Sequence, residues 1–133
     1  MTKEEIKKKE LYIINAQLLG CIGYIISLFI SIIIILNEKK IANGEEPFLT
    51  AEEAEMLTIL NKLFIILLII FFFYIAYQSY QLKILTKQDT SNLSLQIIGS
   101  ILSFIVALIG LYTVTNSNDA SIIKQTANQN PFL

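Results

Sequence analysis

The side chains able to do more than pack are few in the long uncharged stretches of this chain. They are Asn15, Gln17, Ser27 and Ser31 in the first, Tyr74, Tyr77, Gln78 and Gln81 in the second, and Gln96, Ser100 and Ser103 in the third. Their chemistry is hydrogen bonding. No histidine occurs among the 133 residues, and no Asp, Glu or Lys lies within those stretches. A nucleophile with its base, a carboxylate pair and a metal cluster all need groups that are missing there. No catalytic residue, metal ligand or cofactor is therefore expected, and the chain reads as non-enzymatic. Proton coupling is disfavoured for the same reason, because relays run through ionisable groups inside a span. Cys21 is the sole cysteine, so no intrachain disulfide can form. The glutamates Glu45, Glu46, Glu52, Glu53 and Glu55 lack the loop pattern of a calcium site and read as a solvated helix face.

Small residues form a second pattern. Ala16, Gly20, Gly23, Ser27 and Ser31 recur at spacings of three and four, which places them on one helix face, and Gly99, Ser103, Ala107 and Gly110 do so further on. In lipid, apolar burial cannot hold helices together, and such faces associate through close packing and hydrogen bonds. They are assigned to helix packing or to an oligomer face. Gln17, Gln96, Tyr74, Tyr77, Gln78 and Gln81 are the candidate polar patch; the tyrosines near Lys83 also suit an interfacial aromatic belt. Gln17, Gly20, Ile22, Ile26 and Ile30 align at one offset with Gln96, Gly99, Ile101, Ile105 and Ile109, and the shared Gln-x-x-Gly entry is the informative part.

The elements that must carry these residues follow from the charge distribution. Hydrophobic residues make up 54% of the chain and charged ones 16%, and stretches 11–37, 63–82 and 90–118 contain no charge at all. A bilayer needs about 20 apolar residues per helix. The expected fold is an all-α integral membrane protein with three transmembrane helices, helices extending beyond the bilayer and one acidic extramembrane loop. A charged helix start over 1–10 leads into transmembrane helix 1 at 11–36. An acidic loop at 37–61 leads into helix 2 at 62–83, a short polar link spans 84–92, helix 3 spans 93–115, and 116–133 is a polar tail. Thr2 with Glu5, and Thr50 with Glu53, have capping-box spacing, so helices are predicted to start at each, the second at Ala51. Ser91 or Asn92 is expected to cap helix 3. Lys62 and Lys83 bracket 20 uncharged residues and are expected to snorkel to opposite interfaces.

Ten lysines against eleven acids leave no concentrated basic patch, so no nucleic-acid partner is expected. The first apolar run, 26 residues from Leu11 to Leu36, exceeds a signal peptide's apolar region and reads as a retained anchor. Isoleucine at 26 positions with no arginine suggests an AT-rich, bacterial source. Lys3, Lys7, Lys8, Lys9, Lys83 and Lys87 fall on one side of a three-span topology, against Lys39, Lys40, Lys62 and Lys124 on the other. Positive flanks stay inside. The expectation is a multi-pass plasma-membrane protein with a cytoplasmic N-terminus and an outward C-terminus.

Tyr77-Gln78, Lys87, Asp89-Thr90, Leu93-Ser94-Leu95 and the helix ending in Gly110 and Tyr112 resemble a PQ-loop repeat, the unit of SWEET-type sugar transporters and lysosomal amino-acid exporters. The resemblance covers about residues 77–112 and implies that Gln78 is the motif glutamine and that Leu93-Ser94 opens the following helix. Tyr77 stands where the motif has proline, and a polar tail replaces the next helix. Three functions are thus carried forward. The first is a membrane subunit that self-associates or joins another membrane protein through its small-residue faces. An oligomeric pore, a small channel or holin-like, is the second, and a PQ-loop-like half transporter is the third.

Overall fold

The structure, a computed structural model, describes residues 2–116 and contains three helices: α1 (Lys3–Ala42), α2 (Ala51–Leu85) and α3 (Ser91–Thr115). All three are long and apolar enough to cross a membrane. The C-terminal stretch around Ile122 and Ile123, a weakly amphipathic segment in sequence, lies outside the described residues.

Each start has a local cause. Thr2 donates its N–H to Glu5 Oε2 at 2.9 Å, and its hydroxyl accepts the Glu5 N–H at 3.2 Å, completing the capping box of α1. Thr50 caps α2 by accepting the Glu53 N–H at 3.1 Å. Thr50→Val removes that acceptor and is expected to lower the stability of α2 by about 1 kcal/mol, read as earlier loss of helicity on heating in detergent.

At α3 the structure corrects the expected cap. Thr90 occupies the cap position without a side-chain bond, and Asp89 accepts both the Ser91 N–H at 3.1 Å and the Ser91 hydroxyl at 2.8 Å. A carboxylate two residues upstream reaches the first free amide, so neither Ser91 nor Asn92 is the cap. Those two bonds from Ser91 hold the Asp89 carboxyl below the 3.8 of a free side chain. A depressed carboxyl stabilises above its unfolded value and loses that effect as pH falls through its folded value. The Ser91 amide proton resonance should accordingly hold its hydrogen-bonded shift above pH 3.8 and move only as pH falls below that value, and Asp89→Ala should abolish the step.

The apolar run ends at Leu36, yet α1 continues to Ala42, leaving Asn43–Thr50 between the first two helices rather than a loop from residue 37. Lys39 and Lys40 lie in the last turn, where cations suit the helix dipole, and Gly44 at φ 73° ends the helix as only glycine readily can. Asn37, fully buried, accepts the Leu49 N–H at 2.9 Å and donates to the Leu49 carbonyl at 3.5 Å, folding the loop back onto α1.

The middle helix organises the fold. Both α1 and α3 pack along α2, and no Cα of α1 comes within 8 Å of an α3 Cα among the described residues. Gly20 lies under Phe72, Gly23 under Leu68, and Ser27 and Ser31 opposite Asn61, an antiparallel register. On the other side, Ala107 with Phe104 and Leu111 packs on Ile65, Ile66, Leu68 and Ile69. Of the most apolar 18-residue window of each helix, 39% is buried in α2 but only 11% in α3.

Candidate functional site

The polar side chains fall into three places. One is a sealed layer between α1 and α2. The Ser27 hydroxyl donates to Asn61 Oδ1 at 2.7 Å, and Asn61 Nδ2 donates to Ser31 Oγ at 2.9 Å, with all three residues buried. Two serines one turn apart on α1 thus hold both ends of one carboxamide on α2. Thr58, Asn37 and Glu38 are buried further toward the loop, and Lys62 is buried next to Asn61. Lys62 departs from expectation, since at 3% exposure it lies inside the protein rather than reaching outward. The register explains this: the α2 face that presents Asn61 and Lys62 is covered by α1.

The second place is a cleft of about 300 Å³ that exists because α1 and α3 flank α2 without meeting. Gln17 and Tyr24 form one wall, and Gln96, Gly99, Ser100 and Ser103 the other. Its floor is α2, through Phe72, Ile75, Ala76 and Ser79 among others. The two Gln-x-x-Gly entries therefore meet across one cleft, but their glycines differ. Gly20 is buried under Phe72, whereas a Cβ added at Gly99 would meet nothing within 4 Å. The Ser100 hydroxyl donates to the Gln96 carbonyl at 3.0 Å within α3. No hydrogen bond to a described residue engages the side chains of Gln17, Gln96 or Ser103. The cleft offers uncharged donors and acceptors, which suits recognition of neutral polar groups.

The third place is the other face of α2. Gln81 Nε2 donates to the Tyr77 hydroxyl at 2.9 Å, Gln78 is half-buried, and Tyr74 and Tyr77 are 46% exposed. The predicted patch is thereby divided: Gln17 and Gln96 line the cleft, while Tyr74, Tyr77, Gln78 and Gln81 do not.

Of the small-residue faces, the α1 set of Gly20, Gly23, Ser27 and Ser31 is buried against α2, with Ala16 half-buried beside it. The α3 set is shared out, with Ala107 buried on α2, Gly110 half-buried, and Gly99 and Ser103 open to the cleft. Asn61, Ser79 and Tyr24 were missed in sequence. Asn61 lies just outside the uncharged stretch 63–82, in the acidic segment that leads into helix 2; the usable signal was the Ser27/Ser31 pair, which needs a partner with both a donor and an acceptor. The chain matches no family model, no curated protein and no solved structure.

Proposed function

We propose that this chain is a non-enzymatic, multi-pass plasma-membrane subunit that assembles with another membrane-embedded surface through α3 and the α1–α3 cleft. Support for the membrane lies in an inverted distribution of polarity. Ser27, Ser31, Asn37 and Asn61 are buried, whereas Leu18, Leu19, Phe29, Leu67 and Ile109 are at least 60% exposed. In water that arrangement would leave an apolar surface far beyond what a soluble monomer tolerates. In a bilayer it costs nothing for the leucines and satisfies the polar groups internally. At about 1.5 Å per residue, α3 with 25 residues spans about 37 Å, enough for a hydrocarbon core of about 30 Å. With 40 and 35 residues, α1 and α2 overreach that core at about 60 and 52 Å.

The single observation that carries the subunit reading is that Gln17, Gln96 and Ser103, which line the cleft, bond through their side chains to no other described residue, beside a helix that is only 11% buried in its apolar window. Carboxamides left in lipid without partners are costly, so another protein surface is the natural complement. A pore built from the same cleft is the second reading, because Gln17, Gln96, Ser100 and Ser103 line it together. Ser27 and Ser31 are removed from any pore wall by their bonds to Asn61. Chain reconstituted in liposomes at rising density decides between the two: no increase in small-solute leakage is expected, and density-dependent leakage would replace the subunit with the pore.

We place the N-terminus in the cytoplasm. Burial of Lys62 removes one lysine from the opposing flank and strengthens the bias of Lys3, Lys7, Lys8, Lys9, Lys83 and Lys87. In a Cys21→Ser background, Glu45→Cys should react with an impermeant thiol reagent from outside only; labelling from the cytoplasm reverses the topology.

A further inference from the structure

Among the described residues two charged side chains are buried, Glu38 at 4% exposure and Lys62 at 3%, and neither is free. We propose that they pair with one another between α1 and α2, and that this pair is a latch holding α2 deeper in the bilayer than its own charge pattern would place it. The inference rests on the membrane part of the reading above and not on the partner at α3.

The register brings the two together. Gly20 packs under Phe72, Gly23 under Leu68, and Ser31 bonds to Asn61, so Glu38 stands level with about residue 54 of α2. Lys62 lies about eight residues, or about 12 Å, deeper. Helical side chains lean toward the N-terminus of their own helix, so in an antiparallel pair these two lean toward each other. A four-carbon ammonium stem and a carboxylate side chain together bridge that interval. Thr58, buried one turn before Lys62, gives its hydroxyl hydrogen to the Ala54 carbonyl at 2.8 Å, which leaves its oxygen to accept from the ammonium along the way. On the other side of α2, α3 has no Asp, Glu or Lys between Ser91 and Thr115, so no competing charge comes from that helix.

The lipid-facing surface fixes the depth. Met56 and Leu60 are 65% and 55% exposed, and both precede Lys62 on the loop side, next to an exposed Glu55 that marks where α2 meets water. Lys62 thus sits about 9 Å inside that edge. An ammonium in lipid at such a depth is costly, and ionisable groups within spans pair with one another in the protein interior. Glu38 compensates the charge where Lys62 lies. With the carboxylate removed, Lys62 gains by reaching the interface, which carries α2 outward toward the loop side.

Cysteine accessibility in native membranes tests this, in the full chain carrying Cys21→Ser and with a water-soluble thiol reagent given to both faces. A thiol in lipid stays protonated and unreactive. Leu60→Cys should therefore be protected, and adding Glu38→Gln should speed its labelling at least about tenfold as Lys62 draws α2 outward. Adding Lys62→Met as well should restore protection, because a methionine needs no partner, whereas a glutamate with a merely structural role would not be bypassed in this way. Labelling of Leu60→Cys on its own, no rise with Glu38→Gln, or no return with Lys62→Met overturns the latch. If Glu38→Gln alone does not accumulate, accumulation of its combination with Lys62→Met supports the latch, and failure of both variants overturns it. Leu67→Cys, at a lipid-facing position 63% exposed, should stay protected in every variant. Its labelling would overturn the membrane reading itself, while labelling at position 60 alone leaves that reading standing.

Discussion

Replacing Asn61 with leucine should destabilise the α1–α2 pair by about 1–2 kcal/mol. The Asn61 carboxamide on α2 bonds to the Ser27 and Ser31 hydroxyls on α1 at 2.7 and 2.9 Å, and all three groups are buried. Hydrogen bonds between helices in membranes contribute about 0.6 kcal/mol on average and about 1.7 at most. Two bonds together therefore outweigh most single substitutions at the lipid-facing surface. Part of the loss is recovered, because a serine in a helix can turn its hydroxyl to the carbonyl four residues earlier. Leucine is preferred to alanine here, since it fills the site and separates lost hydrogen bonds from a new cavity. Ser27→Ala or Ser31→Ala alone should cost less than Asn61→Leu, and a double-mutant cycle of either serine with Asn61 should show coupling. Reversible unfolding in mixed micelles supplies the numbers. Asn61→Leu as stable as the parent would mean that apolar packing alone holds α1 on α2.

Gly20→Leu should be at least as damaging, at about 3 kcal/mol, because overpacking a filled site forces neighbours off their rotamers. The decisive comparison is with smaller changes. A Cβ at Gly20 meets the Phe72 ring, which is stacked on Tyr24 at 5.3 Å between centroids and lies edge-on to Phe71 at 6.0 Å. That ring can give way only toward the cleft it lines, and at the expense of its stacking on Tyr24. A Cβ at Gly23 comes within 2.6 Å of Leu68 Cδ2, the end of a flexible side chain that can rotate aside. Replacing glycine by alanine in a helix gains up to about 1 kcal/mol of propensity, which offsets the smaller clash but not the larger one. Gly20→Ala should thus destabilise, Gly23→Ala should be near neutral, and Gly99→Ala should not destabilise the single chain. Unfolding of the three variants side by side checks the order.

Much of the architecture was legible because charge marks where helices can enter an apolar phase. The three uncharged stretches correspond to α1, α2 and α3, and the threonine caps at Thr2 and Thr50 marked the starts of α1 and α2. Helix ends were less legible. Asn37 and Glu38 look like the beginning of a loop but are buried inside the hairpin, since a neighbouring helix can cover polar groups on one face of an otherwise exposed turn. The same tertiary cover hid Asn61 and Lys62. A small-residue stripe shows that something approaches closely without showing what, and only the antiparallel register assigns Gly20, Gly23, Ser27 and Ser31 to α2. The meeting of Gln17 and Gln96 depended on α1 and α3 lying on either side of α2, an arrangement that no local pattern encodes.

The central claim is that the polar cleft beside the exposed α3 is a protein contact within the bilayer. Native-lipid discs cut from membranes without detergent, weighed one complex at a time, test it most directly. The account predicts discs holding more than one protein chain, with the mass falling to a single chain when Gln96 and Ser103 are both replaced by leucine. Single chains from the unaltered protein at native abundance, or a multimer indifferent to those two substitutions, would contradict it.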